Sequence, residues 1–181
     1  MTHDLIYADP PWHYAARKTG THFGGGVTDK YPTMTVPEIC ALPIKDIARD
    51  NSILMIWTTM PYLMQTQQVI EAWGFRYVTC GFTWIKTNKN SGTVFAGVGN
   101  YTKSNAELCL IAKRGAGLKR VSKSVQQVIM TPRREHSRKP DEAYDRIEQL
   151  FAPENPIELF ARTRKAGWHN WGNQVGMFEC P

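Results

Sequence analysis

Asp9-Pro10-Pro11-Trp12 concentrates more usable chemistry than any other short stretch of this chain. It follows Leu5-Ile6-Tyr7-Ala8, an apolar run of strand length, and two prolines cannot continue a strand ladder, so Asp9 is delivered at the strand's carboxyl end. A carboxylate and a backbone carbonyl held side by side can each accept one hydrogen of a weakly nucleophilic exocyclic amine, such as N6 of adenine. That localises the nitrogen lone pair and aims it at an electrophilic carbon, by positioning and electrostatics rather than strong-base chemistry. Asp9 supplies one acceptor and the Pro10 carbonyl the other. Pro11 helps to fix the backbone, and Trp12 offers a flat face to a base drawn out of its stack. The same residues would also suit a plain strand-ending turn, so position in the fold must decide between the two.

The elements that would position this tetrad read as an alternation. Trp12 to Met34 is rich in glycine, threonine and charge, with Gly24-Gly25-Gly26 at its centre, and reads as a long mobile loop, either a lid or binding loop or else disordered. Thr35-Val36-Pro37-Glu38 has capping-box spacing and predicts a helix to about Ala48. Ser52 to Trp57 is almost continuously apolar, as a strand covered on both faces should be. Pro61 to Trp73 has helical spacing and stops at Gly74. Tyr77 to Lys86, Glu107 to Ala112, Val125 to Met130 and Ile157 to Phe160 read as further strands, and Pro140 to Phe151 as a helix. This pattern predicts one α/β domain over residues 1–181, with a mainly parallel sheet covered by helices on both faces. Ligands of such sheets sit at the carboxyl ends of strands, which gathers Asp9, Trp57 to Thr59 and the residues after Phe160 on one rim.

Composition narrows the partners. The chain has 181 residues and a formal net charge of +6, with Lys and Arg crowded between residues 86 and 139, as suits a polyanion. An ordinary solvated basic surface is the alternative. Cys40, Cys80, Cys109 and Cys180 form none of the short pairs used by zinc sites, and none of the five histidines has a spaced partner, so no metal is expected. No run approaches the roughly 18 apolar residues of a membrane span and no signal region opens the chain, which predicts a soluble cytoplasmic protein.

With the tetrad at a strand end, the sequence resembles the N6-adenine methyltransferase family that includes the catalytic subunit of the eukaryotic messenger-RNA adenosine methyltransferase and its phage and bacterial relatives. The likeness runs from Asp4 to Gln174. After the tetrad come Lys30-Tyr31-Pro32-Thr33-Met34 at the end of a gate loop (13–34), Trp57-Thr58-Thr59, and Trp84-Ile85-Lys86-Thr87-Asn88. Glu107-Leu108-Cys109-Leu110 follows a variable target-contact loop (87–104), and then, in family order, Arg138-Lys139-Pro140-Asp141-Glu142, Ile157 to Arg162 and Gly172-Asn173-Gln174.

The resemblance implies a Rossmann-like methyltransferase sheet in permuted order, catalytic motif first, with S-adenosylmethionine as cofactor. Asp9, Pro10, Pro11 and Trp12 take the catalytic positions. Lys139 is expected to face the cofactor's methionine carboxylate, with Asp9 beside it, and Glu158, Arg162, Asn173 and Gln174 to surround its ribose and adenine. Read without the family, Lys139 could simply flank a helix start, Arg162 could be a surface cation and Asn173-Gln174 a turn. Tyr31, Trp57, Lys86 and Asn88 are assigned to the substrate side, with a core role open for Trp57; His13 and His22 read as loop residues.

Two departures stand out. Thr163-Arg164-Lys165 replaces a His-Asn pair that contacts the cofactor in the eukaryotic subunit, and the chain opens only a few residues before its first strand, which makes His3 or Asp4 the candidate to touch the cofactor's adenine. The implied activity is methylation of adenine N6 in DNA. RNA is the nearest rival substrate, and a non-catalytic nucleic-acid-binding partner subunit is the reading from another class. A homodimer is compatible with the absence of an appended recognition domain, and phage or bacterial intracellular origin fits the small stand-alone relatives.

Overall fold

A computed structural model of the chain describes residues 1–13, 32–99, 101–134 and 138–175, together with the backbone of 178–179. Most of the expected gate loop, with His22 and Tyr31, lies outside the described residues, as does Cys180.

The strands are β1 (His3–Ala8), β2 (Ala48–Thr58), β3 (Arg76–Thr87), β4 (Ala106–Arg114), β5 (Val128–Pro132), β6 (Pro156–Leu159), β7 (Thr163–Arg164), β8 (His169–Trp171) and β9 (Phe178–Glu179). Seven of them form one sheet in the order β5-β3-β4-β2-β1-β6-β8, and β7 pairs with β9. Only β4 runs against the others, antiparallel to both β2 and β3, while β1 is parallel to β2 and β6, β3 to β5 and β6 to β8. The carboxyl ends of β1, β2, β3, β5 and β6 therefore share one rim, and the sheet is mainly parallel, α/β and Rossmann-like as expected.

Alternation along each strand sends side chains to two cores. Ile6, Ala8, Leu54, Ile56, Leu110 and Ala112 pack beneath Ile39 of α1 (Val36–Cys40), Ile44 of α2 (Ile44–Ile47), and Val69 and Ile70 of α3 (Leu63–Ala72). Leu5, Tyr7, Met55, Trp57, Trp84 and Ile129 pack on the opposite face against Ala143, Tyr144 and Ile147 of α4 (Glu142–Phe151) and against Trp168. Both faces are apolar, which is why β1 and the end of β2 read as unbroken apolar runs.

The capping box forms: the Thr35 backbone N–H donates to Glu38 at 2.7 Å and the Glu38 N–H donates back to the Thr35 hydroxyl at 3.4 Å. The helix expected to reach Ala48 is split, however. Pro43 separates α1 from α2 because it has no N–H to donate and its ring crowds the preceding turn, and Ala48 already begins β2. α3 ends where Gly74 takes φ +81°, a conformation that favours glycine. β5 begins three residues later than expected, at Val128; Val125 turns instead into the second core.

Candidate active site

Asp9 emerges from β1 into a turn braced from both sides. The Trp12 N–H donates to the Pro10 carbonyl at 2.9 Å, the Met34 N–H to the Pro11 carbonyl at 2.8 Å and the His13 N–H to the Met34 carbonyl at 3.1 Å. The Trp12 ring is 5 % exposed and stacks on Tyr62, with centroids 5.1 Å apart and planes 21° off parallel. This corrects the expectation of an open platform: the indole anchors the turn from below, and its apolar area is better hidden than left in water. Trp57 is corrected in the same way. It is fully buried, and its N–H donates to the Tyr7 hydroxyl at 2.6 Å, so it belongs to the core and not to the pocket wall.

Four charged side chains line the rim in alternating sign. Lys139, just before α4, places Nζ 2.8 Å from each carboxylate oxygen of Asp9 and 3.1 Å from Glu107 Oε2. The second contact is an ion pair without the alignment of a hydrogen bond. Lys86 pairs with the other oxygen of Glu107. Burial alone would push the Lys139 ammonium down, but Asp9 and Glu107 outweigh it and hold its pKa above the usual lysine value. Burial likewise opposes ionisation of Glu107, and Lys139 and Lys86 reverse the effect, holding it below the usual carboxylate range. Indole rings flank the row: the Lys86 ammonium lies 5.0 Å from the Trp84 centroid and that of Lys139 lies 5.8 Å from Trp57. Lys139 and Glu107 are thus both held in their charged forms at the sheet edge.

Beside this row lies a cleft lined by Asp9, Pro11, Met34, Phe160, Arg162, Trp171, Asn173 and Gln174. Phe160 carries φ +61°, an unusual conformation for a residue with a side chain, and its ring meets Trp171 edge-on at 5.5 Å and 70°. Gly172 lets the end of β8 close on the end of β6; a Cβ there would sit 2.6 Å from the Ala161 nitrogen, whose N–H donates to the Trp171 carbonyl at 3.0 Å. The adjoining pocket is lined by Asp9, Lys139, Glu158, Arg162 and Thr163 among others. Within it the Tyr144 hydroxyl donates to Glu158 at 2.8 Å and lies 3.2 Å from the Thr163 hydroxyl. Burial pushes the Glu158 carboxyl up to about 7, with the Tyr144 bond opposing and the Asp9 charge adding to the rise.

The structure therefore gathers Asp9, Pro11, Lys139, Glu158, Arg162, Asn173 and Gln174 around two adjoining pockets. Lys86 and Asn88 lie further along the same rim: Lys86 is neutralised by Glu107, and the Asn88 amide donates to the Thr93 hydroxyl at 3.0 Å. His3 and Asp4 are misplaced for the role given them. They sit at the opposite end of β1, about 16 Å (Asp4) and about 20 Å (His3) from Asp9 by strand rise. There Asp4 accepts the N–H groups of Glu154 and Asn155 at 2.8 and 3.0 Å, and His3 lies 3.0 Å from the Asn155 carbonyl.

Three residues of the site escaped sequence reasoning. Glu107 shows as a lone acid entering an apolar strand, a signal that could have been taken up. Tyr144 looks like any aromatic on a buried helix face, and Trp171 like any tryptophan of the tail. The residues replacing the His-Asn pair turn toward α4: Thr163 is buried against Tyr144, and Lys165 pairs with Asp145 at 3.1 Å.

The donor set fits S-adenosylmethionine: a buried acceptor for hydroxyls (Glu158), amides for ring nitrogens (Asn173, Gln174), an aromatic wall (Phe160, Trp171) and a lysine beside the carboxylate of Asp9. Comparison with known proteins agrees. The MT-A70 family model matches residues 3–174. The chain is 34% identical to the type II methyltransferase M.MunI of a Mycoplasma species, an alignment covering 96% of this chain and 78% of that protein. It is 30% identical to the N6-methyladenosine RNA methyltransferase MTA1 of Cryphonectria parasitica over 98% of this chain and 53% of the relative. It is 28% identical to the human N(6)-adenosine-methyltransferase catalytic subunit METTL3 over 94% of this chain, which spans 28% of that protein. No helix among the described residues is long and apolar enough to cross a membrane. The chain belongs to the MT-A70 family of S-adenosylmethionine-dependent methyltransferases.

Proposed function

We propose that this chain transfers the methyl group of S-adenosylmethionine to N6 of adenine in DNA. The observation that carries the reading is Asp9, fixed at a strand end, gripped by Lys139 and shared between the two pockets. Asp9 accepts one hydrogen of the target amine. The Pro10 carbonyl accepts the other with its second lone pair, the first being taken by the Trp12 N–H. Both acceptors are fixed before substrate arrives, so little reorganisation is left for the reacting complex.

Bound in the cleft, S-adenosylmethionine supplies an electrophilic methyl group on its sulfonium. Lys139 would face the cofactor's carboxylate while gripping Asp9, Glu158 and Arg162 would hold the ribose, and Asn173 and Gln174 would read the adenine against the Trp171 and Phe160 rings. The likeness to a type II methyltransferase over most of that protein's length favours DNA as the polymer. The likeness to MTA1 and METTL3 makes RNA the second reading. An intact Asp9-Lys139 pair argues against a non-catalytic partner subunit.

The test is methyl transfer from labelled S-adenosylmethionine to single-stranded DNA, duplex DNA and RNA, with the product nucleosides resolved by mass spectrometry and an Asp9→Ala preparation run in parallel. N6-methyladenine from the parent in DNA, absent with the variant, is the expected result. Product in RNA alone would move the assignment to RNA, and equal product from the variant would refute the site.

A further inference from the structure

Past the row of alternating charge, the same rim carries a second depression, lined by Asn88, Lys89, Asn90, Ser91, Arg133 and Arg134. Among the described residues its charged side chains are cationic and the others are amides and a hydroxyl, a set that matches the oxygens of a phosphodiester. Carboxylates do reach Arg134, from Asp141 at 2.5 Å and Glu142 at 3.1 Å, and they fix its guanidinium at the back of the cleft.

The walls are built. The 88–93 turn is closed by the Asn88 N–H donating to the Thr93 carbonyl at 2.9 Å, the Gly92 N–H to the Asn88 carbonyl at 3.1 Å and a 2.7 Å contact between the Ser91 and Thr93 hydroxyls. The Phe95 N–H then donates to the Lys86 carbonyl at 2.8 Å, tying the loop back to β3. Opposite, the Arg133 N–H donates to the Thr87 carbonyl at 3.1 Å, and its guanidinium lies 4.5 Å from the Phe95 ring centroid. Arg133 is exposed, yet stacking restrains it before any ligand arrives, which reduces the ordering cost of using it.

Position gives the cleft its meaning. It sits at the carboxyl ends of β3 and β5, and β3 lies three ladder steps from β1 in the sheet. At strand spacing that puts its β3 side about 14 Å and its β5 side about 19 Å from Asp9, or about four to six phosphates along one strand of a duplex and fewer along a stretched one. We propose that the Asn88–Ser91 turn and Arg133-Arg134 form a phosphodiester-binding cleft that holds the substrate strand a few nucleotides from the target adenine. This rests on the assignment of a nucleic-acid substrate; it adds where the flanking backbone docks and predicts weaker binding of a strand too short to reach it.

The test uses the full chain and a Lys89→Ala/Arg133→Ala double variant, with an Arg133→Lys variant keeping the charge. Affinity for a fluorescent DNA oligonucleotide of mixed sequence is measured by anisotropy across a salt series, alongside cofactor affinity by calorimetry. The double variant is expected to bind DNA about tenfold more weakly, with the slope of log affinity against log salt reduced by about 1 to 2. Cofactor affinity should not change, Arg133→Lys should recover part of the loss, and the penalty should vanish on oligonucleotides truncated to a few nucleotides around one adenine. Unchanged DNA affinity and slope in the double variant would overturn the cleft. An equal penalty at every length would overturn it too. Binding is read directly, so a parent that bound DNA through the cleft but made no N6-methyladenine would separate failure of the enzymatic reading from failure of the cleft.

Discussion

Lys139 reaches back across 130 residues of chain to hold both carboxylate oxygens of Asp9 at 2.8 Å, and it touches Glu107 with the same ammonium. One cation thus ties the end of β1, the start of β4 and the approach to α4 together, with little water to screen them. The pairing is a structural commitment as well as a catalytic one, and its removal should be felt in both.

Lys139→Met is expected to lose activity and to destabilise the fold by roughly 3–5 kcal/mol, because it takes the lysine from Asp9 and leaves Glu107 with Lys86 alone in a mostly dry site. For a chain of this size that lowers Tm by about 10 °C, read by differential scanning calorimetry. Asp9→Asn/Lys139→Met should cost less than the sum of the single changes, since each single change leaves a partner unpaired. Strict additivity in the cycle would mean that the two do not act as a pair.

Glu158 should make the cofactor-free protein less stable as pH rises. Its carboxyl is raised from 4.5 to about 7 by burial, so between those values the folded state holds a proton that the unfolded state has released. The contribution is complete below the unfolded value and is lost as pH climbs through the folded one, about 3 kcal/mol in all. Chemical denaturation from about pH 5 to pH 8 should show this slope in the parent and a flatter one in Glu158→Gln.

Cofactor binding should then release a proton. Ribose hydroxyls donating to Glu158 would favour its ionised form and pull the raised value down. Calorimetry in buffers of different ionisation enthalpy should register net proton release near pH 6 to 7 that disappears in Glu158→Gln. Equal release by both proteins would separate Glu158 from the ribose.

Trp171 is 47 % exposed in the cleft wall although it is one of the largest apolar side chains of the chain. Cofactor stacking on it should quench its fluorescence, and Trp171→Ala should weaken cofactor affinity about tenfold, the size of one lost aromatic contact. Unchanged affinity would put the adenine elsewhere.

Gly172→Ala should open the same wall from behind. The added Cβ meets the Ala161 backbone at 2.6 Å, with no flexible side chain to yield. A stability loss of roughly 1–3 kcal/mol and weaker cofactor binding are expected, measured by denaturation and calorimetry.

Asp9 could be read before folding, because it is a carboxylate at the end of an apolar run, where a sheet of this kind places its ligands, whereas Lys139, Glu158 and Asn173-Gln174 were singled out through the family resemblance. The aromatic residues were less legible. Trp12 and Trp57 stand beside the chemistry in sequence, but only three-dimensional packing decides that Tyr62 covers one and Tyr7 receives the N–H of the other. The direction of β4 was equally hidden, since an apolar run carries the period of a strand and nothing about its polarity. Pro43 was the signal that should have shortened the first helix. The misplacement of His3 and Asp4 followed from borrowing a contact from relatives; the local facts, two backbone N–H groups awaiting an acceptor at the far end of β1, became visible only in the fold.

His13 and Met34 are clasped backbone to backbone, one residue past the tetrad and one before the first helix cap. The intervening stretch of sequence is therefore anchored at both ends independently of its own composition. Closing a loop costs free energy that grows only with the logarithm of its length. Changes in the number of residues between those two anchors are accordingly expected to cost the neighbouring carboxylate little.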